Sequence, residues 1–198
     1  NYKRKYRYLG NVNLSYSSLK SGNTLVGDNT DRRDFFIRWK HQQDPKANLN
    51  RRFSANINAG SSSYQQNNSF SDKDYLSNTF QSNLSYSRNW KSANMSMNLR
   101  HSQNTLSKQV NLSLPEMSFN LNRFYPLKRF NKSNKPKWYD KLYINYSTNF
   151  KNSISIADSL LFQPSALTKF RNGVMHNIPI STSFTALKYI NISPSFSY

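Results

Sequence analysis

The chain has 198 residues and carries 28 Lys and Arg against 9 Asp and Glu, a formal net charge of +19. The absence of cysteine excludes disulfides, thiolate metal sites and cysteine nucleophiles. The hydrophobic share is only 36%, yet aromatic residues make up 15% of the chain and apolar residues recur at period two, which argues against a disordered chain.

About nine segments alternate between apolar and polar residues, which is the pattern of β-strands with one apolar and one polar face. In chain order the apolar positions are Tyr8, Val12, Leu14 and Tyr16; Phe35, Ile37 and Trp39; Phe53, Ala55, Ile57 and Ala59; Leu84, Tyr86 and Trp90; Met95, Met97 and Leu99; Val110, Leu112, Leu114, Met117, Phe119 and Leu121; Leu142, Ile144, Tyr146 and Phe150; Ile178, Ile180 and Phe184; and Ile190, Ile192, Phe196 and Tyr198. Strands of roughly ten residues are long enough to cross a bilayer at a tilt.

Turn-like segments separate these strands. They span 21–33, 44–50, 65–75, 91–93, 103–108, 126–138 and 157–169. The first four alternate between long and short, as the outer loops and periplasmic turns of outer-membrane barrels do. The last two are both long, so the turn lengths do not fix the orientation in the membrane.

The alternation slips by one residue at Pro115 and Glu116. Proline has no N–H to donate to a ladder and occurs in sheets at bulges or edges. We therefore predict a strand bulge at Pro115 and Glu116. Pro179 and Pro194 also fall inside expected strands, where the same reasoning predicts local bulges or locally weak pairing. The alternative is that these prolines weaken the seam between two strands as an adaptation.

The two faces of these strands favour a membrane over water. The polar face is mostly Ser and Asn with occasional Arg and Lys, which suits a hydrated lumen. The apolar face carries charge only near strand ends, at Arg88 and Arg123, where a long side chain reaches the interface. Aromatic residues cluster near strand termini, as in an interfacial girdle. They are Tyr8, Tyr16, Trp39, Trp90, Tyr125, Trp138, Tyr139 and Tyr198.

The predicted fold class is all-β, an antiparallel transmembrane β-barrel fragment of about nine strands. A β-structure in lipid must close so that no edge remains unpaired. We therefore expect residues 1–198 to be part of one larger outer-membrane β-barrel domain that is incomplete at both ends. A soluble, basic β-sandwich that binds nucleic acid or polysaccharide is the alternative, because alternation and aromatic residues also occur in ordinary cores.

The sequence shows no catalytic constellation. His41, His101 and His176 lie on separate segments without metal-type spacing, and the chain has no glycine-rich phosphate loop. We expect no enzyme activity, no metal and no cofactor. Basic clusters at 3–7, 32–33, 51–52 and 128–137 lie mostly in connections, so we expect anionic lipid headgroups as partners and no nucleic acid on the sheet face.

Four segments resemble the barrel of the LptD family, which delivers lipopolysaccharide to the outer leaflet. They are 6–16, Phe36–His41, Arg51–Asn56 and Leu114–Phe119. The resemblance implies non-catalytic transport in the outer membrane of a Gram-negative cell. It also implies a jelly-roll domain elsewhere, a lateral opening, an LptE-like lipoprotein plug and a periplasmic LptA-like bridge. A different outer-membrane barrel, a porin or a receptor, is the alternative.

Within this interpretation, the basic side chains that face the lumen can be selected by strand parity, meaning the odd or even position of a residue along its strand, which decides the face it lies on. They are Arg38, Lys40, Arg52, Arg100, Lys141 and Lys151. The hypothesis is that these side chains contact the phosphates or core sugars of lipopolysaccharide, while the apolar face contacts outer-membrane lipids.

Overall fold

The fold is nearly all antiparallel β-structure, as the alternation predicts. The computed structural model describes residues 1–21, 30–68, 78–131, 137–161, 163–186 and 189–198. The strands are β1 (Tyr2–Arg4), β2 (Tyr8–Ser21), β3 (Thr30–Gln43), β4 (Arg51–Gly60), β5 (Thr79–Asn89), β6 (Ala93–Asn104), β7 (Gln109–Phe124), β8 (Tyr143–Ala157), β9 (Arg171–Asn177), β10 (Pro179–Ser181), β11 (Phe184–Ala186), β12 (Ile190–Ile192) and β13 (Ser195–Ser197). The helical segments are α1 (Tyr64–Asn68) and the 3-10 turns Pro45–Ala47, Lys128–Phe130, Trp138–Lys141, Asp158–Leu160 and Pro164–Lys169.

Eleven strands form one sheet in which β1 to β8 follow one another in chain order. Both β9 and β10 pair with β8, β13 pairs with β10, and β11 and β12 form a separate two-stranded sheet. The two ends of the strands are named as follows. At the upper end, strands finish at Ser21, Gly60, Asn104 and Ala157. At the lower end, strands finish at Gln43, Asn89 and Phe124. Apart from β11 and β12, the strands in the described residues make one continuous sheet, not the two large facing sheets of a sandwich.

The strands from β2 to β8 correspond to the first seven alternating segments, and the predicted all-β, antiparallel class is confirmed. The pairing places apolar residues of neighbouring strands opposite one another, so they share one face of the sheet. Leu14 lies opposite Ile37, which lies opposite Ala59. Leu14 is 70% exposed, so the described residues leave this side chain largely uncovered. No helix in the described parts of the chain is both long enough and apolar enough to span a membrane.

The last part of the chain differs from the prediction. Residues 178–184 and 190–198 do not form two long strands, which the alternation predicted, but four strands of three residues each. Pro179 and Pro194 lie there, and each lacks the N–H that would continue a ladder. The longer strand in this region is β9, which pairs with Ser147–Ser153 of β8. Its adjacent apolar residues, Val174 and Met175, hid it from a search for period two.

A bulge interrupts β7 at the position of the phase slip. Asn98 of β6 lies opposite Glu116, whereas Arg100 lies opposite Ser113, so β7 holds one residue more than its neighbour. The β7–β8 ladder shifts between the same two residues of β7. The Nδ2 of Asn152 on β8 donates to the Leu114 carbonyl at 2.8 Å. A side chain thus satisfies a backbone acceptor that the regular ladder would have used.

At the upper end, part of the apolar face is covered by the chain itself. Ile154 and Ile156 of β8 are 5% and 6% exposed and pack around Ala166 of the 3-10 turn Pro164–Lys169. Partly buried apolar residues complete this cluster: Leu112, Leu160, Leu161 and Phe170. At this end the chain itself therefore covers part of the apolar face that was expected to contact lipid.

The segment 61–68 is anchored to β3. Asp34 is 1% exposed, and its carboxylate accepts hydrogen bonds from Ser61 and Ser63 at 3.0 and 2.5 Å. It also accepts from the side-chain amides of Asn67 and Asn68 at 3.1 and 3.2 Å. A buried carboxylate costs free energy unless it is hydrogen-bonded, so this set of donors accounts for an acid inside the upper end.

Candidate functional site on the polar face

A row of polar side chains crosses five strands on one face of the sheet. Asn11 lies opposite Lys40, Lys40 opposite Asn56, Asn56 opposite Asn83, and Asn83 opposite Arg100. Directly paired residues point to the same face, because side chains alternate across each strand. With about 4.8 Å between neighbouring strands, the sheet holds Lys40 and Arg100 on the same face roughly 14 Å apart.

Two other predicted residues flank this row. Arg38 lies opposite Asn13 and Asn58, two residues from Lys40 toward the upper end. Its guanidinium lies 5.3 Å from the centre of the Phe36 ring. Arg52 lies opposite Ser87 near the lower end of β4. The strand pairing thus places Arg38, Lys40, Arg52 and Arg100 on one face, as parity predicted.

Glu116 lies between two of the predicted basic residues. Its carboxylate is 3.5 Å from the Arg100 guanidinium, and Glu116 pairs directly with Lys151 of β8. The side chains of Arg100 and Glu116 are 60% and 33% exposed, so the ion pair adds little to stability. Its effect is on charge: one carboxylate partly neutralises this side of the row and leaves Lys40, Arg38 and Arg52 as the more positive side.

Short polar side chains on the same face bond to one another across strands. Ser54 and Ser85 hydroxyls lie 2.7 Å apart, and Ser96 and Ser118 hydroxyls lie 3.3 Å apart. The Asn120 amide donates to Asn94 at 3.0 Å. These pairs direct part of the hydrogen-bonding capacity of the short side chains to neighbouring strands. The Lys and Arg side chains of this face are longer than these Ser and Asn side chains and carry the charged groups.

Two adjoining clefts lie along the polar row. The larger has a volume of about 710 Å³, and the smaller one about 480 Å³. Asn56 and Asn83 line both clefts, Lys40 and Arg52 line the larger, and Arg100 lines the smaller. Such a trough offers cationic donors to phosphates and amide groups to sugar hydroxyls.

One predicted residue lies outside this arrangement, and one was missed. Lys141 ends the 3-10 turn Trp138–Lys141, so strand parity cannot assign its side chain to a face. Lys3 lines the larger cleft and was not predicted, because β1 has only three residues and shows no alternation. The one signal for Lys3 was its place in the basic cluster 3–7.

The described part of the polar face offers cationic and amide groups that can bind a ligand. Within the described ranges, no three residues of the types His, Cys, Asp and Glu lie close enough together to hold a metal ion. His101, which parity places on the apolar side, has its Nδ1 3.4 Å from the Ser82 hydroxyl. The arrangement can attract, orient and release an anionic, sugar-bearing molecule.

A protein-family model described as LptD protein matches residues 1–198, which is the whole chain. No curated protein and no solved structure matches the chain.

Proposed function

The chain belongs to the LptD family of outer-membrane proteins that transport lipopolysaccharide, and from this we propose that its sheet guides lipopolysaccharide into the outer leaflet. The process is passage of a bound molecule, with no covalent chemistry. The polar face belongs to the lumen of a barrel, and the apolar face contacts membrane lipids except where the chain covers itself at the upper end.

The observation that supports this proposal is the row from Asn11 to Arg100. It combines two cations with three asparagine amides on neighbouring strands. Lipopolysaccharide presents phosphates and sugar hydroxyls on one molecule, and these are the groups that guanidinium, ammonium and amide donors recognise. A row of separate contacts, each modest, permits a ligand to advance without being trapped at one site.

The roles of the basic residues follow from their positions. Lys40 and Arg52 contact phosphates in the larger cleft, and Arg38 extends this contact toward the upper end. Arg100 and Lys151 continue the path across β6 and β8, with Glu116 between them to weaken binding and favour release. Lys141 remains a candidate contact because of its charge alone.

The family membership also suggests the surroundings of this sheet. We propose that a lipoprotein plug like LptE and a periplasmic bridge like LptA act with the protein, as they do in the Lpt system. We further propose that the barrel lies in the outer membrane of a Gram-negative cell. No cofactor takes part in this proposal.

The test replaces Arg38 and Arg100 together with Ser in the full-length protein. We expect less newly made lipopolysaccharide to reach the cell surface, while the amount of folded barrel stays unchanged. A matched control replaces Lys20 and Lys169, two exposed residues at the upper end, and should leave transport intact. Normal transport by the Arg38→Ser, Arg100→Ser variant would show that the polar row is not the path.

A further inference from the structure

A second basic cluster lies on the apolar face at the lower end. Arg4, Arg7 and Arg51 surround a cleft of about 400 Å³ whose lining also includes the rings of Tyr8, His41 and Phe53. We call it the arginine cleft. Arg4 pairs with Tyr8, and Arg51 lies two residues from Phe53 along β4, so both arginines belong to the apolar side of the sheet.

Hydrogen bonds order the backbone at these arginines. The Arg7 amide donates to the Arg4 carbonyl at 3.0 Å, and the Asp44 amide donates to the Arg7 carbonyl at 2.8 Å. The Arg51 amide donates to the side chain of Asn48 at 3.0 Å. The turn after β1 is thereby joined to the connection between β3 and β4, and this brings the three arginines to the lining of one cleft.

Among the described residues, no carboxylate forms an ion pair with Arg4, Arg7 or Arg51. Arg51 lies directly opposite Arg88 in the β4–β5 ladder, and like charges in that position destabilise a sheet. The ion pairs among described residues involve Arg32, Arg33 and Arg100, and none of the cleft arginines. The Arg88 guanidinium instead lies 4.9 Å from the Trp90 ring. An external anion would remove the repulsion.

The aromatic residues beside the cleft indicate its depth in a bilayer. The ring centres of Tyr8 and His41 are 5.6 Å apart, and those of His41 and Phe53 are 5.4 Å apart. The Tyr2 hydroxyl lies 2.8 Å from His41 Nδ1 and accepts from the Trp39 indole at 2.8 Å. Amphipathic rings gather where hydrocarbon meets headgroups. Arg51, about 7 Å farther along the strand than Phe53, then lies at the level of the headgroup phosphates.

We propose that the arginine cleft binds the phosphate of an anionic glycerophospholipid in the periplasmic leaflet. Three of the four connections at the lower end, 5–7, 44–50 and 90–92, are short, and the fourth, 125–142, is long. Short turns are typical of the periplasmic side of outer-membrane barrels, and as part of this proposal we assign the lower end to that side on the three short turns. That leaflet is built of phospholipid. The proposal rests on the proposed function only in placing the apolar face in an outer-membrane bilayer.

The experiment measures lipid retention by native mass spectrometry on the full-length protein. The protein is released from detergent in the presence of equal amounts of phosphatidylglycerol, phosphatidylethanolamine and lipid A. We expect phosphatidylglycerol to be retained preferentially. The triple variant Arg4→Ser, Arg7→Ser, Arg51→Ser should lose this retention by about tenfold or more, since it removes the charge-assisted hydrogen bonds. The triple Arg→Lys variant should keep an intermediate retention.

A matched control replaces three basic residues outside the cleft, Lys20, Lys169 and Arg171, with Ser. Equal loss in this control, equal retention in the Arg→Ser variant, or preference of the wild type for lipid A would each overturn the proposal. If the triple variant does not assemble, the single Arg51→Ser variant gives the same comparison with a smaller expected loss.

Lipopolysaccharide delivery is measured on the same variants. Normal delivery together with lost phosphatidylglycerol retention supports the arginine cleft. A variant that loses delivery but keeps retention contradicts it. A wild-type protein that retains phosphatidylglycerol through these arginines but moves no lipopolysaccharide would refute the proposed function alone.

Discussion

The rings of Phe36 and Phe80 lie 5.5 Å apart, although strand parity assigns them to opposite faces of the sheet. Phe36 shares the face of Arg38, whereas Phe80 shares the face of Leu84. The rings meet because β4 ends at Gly60 and the β4–β5 ladder does not continue past Asn56 and Asn83 toward the upper end. Through this opening a core forms that belongs to neither face.

We expect a double-mutant cycle to detect this contact. Phe36→Leu and Phe80→Leu should couple by about 0.5–1.5 kcal/mol, the range for aromatic pairs beyond their buried area. The measurement is the unfolding of the barrel in urea, monitored through tryptophan fluorescence. Phe35, which is 47% exposed, provides the control: a Phe35→Leu and Phe80→Leu cycle should show no coupling. A coupling near zero in the Phe36 cycle would contradict the contact, and equal coupling in both cycles would show that it is not specific to this pair.

Gly60 provides a prediction about the close approach of β3 and β4. A Cβ at this position would lie 2.6 Å from the Phe35 carbonyl oxygen and 2.8 Å from the Phe36 ring. Gly60→Ala should therefore destabilise the protein by about 1–3 kcal/mol, the usual cost of overpacking. Gly173 is the matched control, because a Cβ there meets nothing within 4 Å. Thermal melting of both variants checks this, and equal melting temperatures would contradict it.

Asp34 should control the order of the segment 61–68. Replacing it with Ala removes the acceptor for four hydrogen-bonding side chains and the ion-pair partner of Arg32. Donors that stay buried without a partner cost about 1–3 kcal/mol each. We expect faster amide hydrogen exchange across 61–68 with little change in β6. Asp31→Ala is the control, since the Asp31 side chain is 43% exposed. Unchanged exchange in the Asp34→Ala variant would show that other contacts hold the segment.

Asn152 should stabilise the bulge in β7. An Asn152→Leu substitution removes the donor to the Leu114 carbonyl and should cost about 1–2 kcal/mol, despite the added apolar area. Asn172 faces Asn152 across the β8–β9 ladder, and its exposed side chain makes Asn172→Leu a suitable control. The midpoint of urea unfolding measures both. A stabilised Asn152→Leu variant would mean that the side-chain bond adds nothing to the bulge.

The strands from β2 to β8 could be predicted because alternation reports the two faces of a strand directly. The same signal failed after residue 170, where Val174 and Met175 adjoin and where Pro179 and Pro194 break the ladders. Alternation also describes each strand alone, so it could not show that Phe36 and Phe80 meet.

The candidate site could be predicted only in part. Parity gave the face of Arg38, Lys40, Arg52 and Arg100, but the grouping of Lys40 with Asn83 and Arg100 depends on the register of three ladders. Register is set by turns and cross-strand packing, which single residues do not reveal. The assignment of Lys141 to the lumen face lacks support for a different reason. Lys141 lies before the start of β8 at Tyr143, so the alternation of that strand does not apply to it.

The pairing of β1 to β8 in chain order has a consequence for biogenesis. Each of these strands finds its partner in the segment made immediately before it, so every ladder closes through a local search. Growth can proceed hairpin by hairpin, and each completed strand becomes the template for the next. A lesion in one hairpin should therefore halt assembly at that hairpin while the earlier ones keep their alignment.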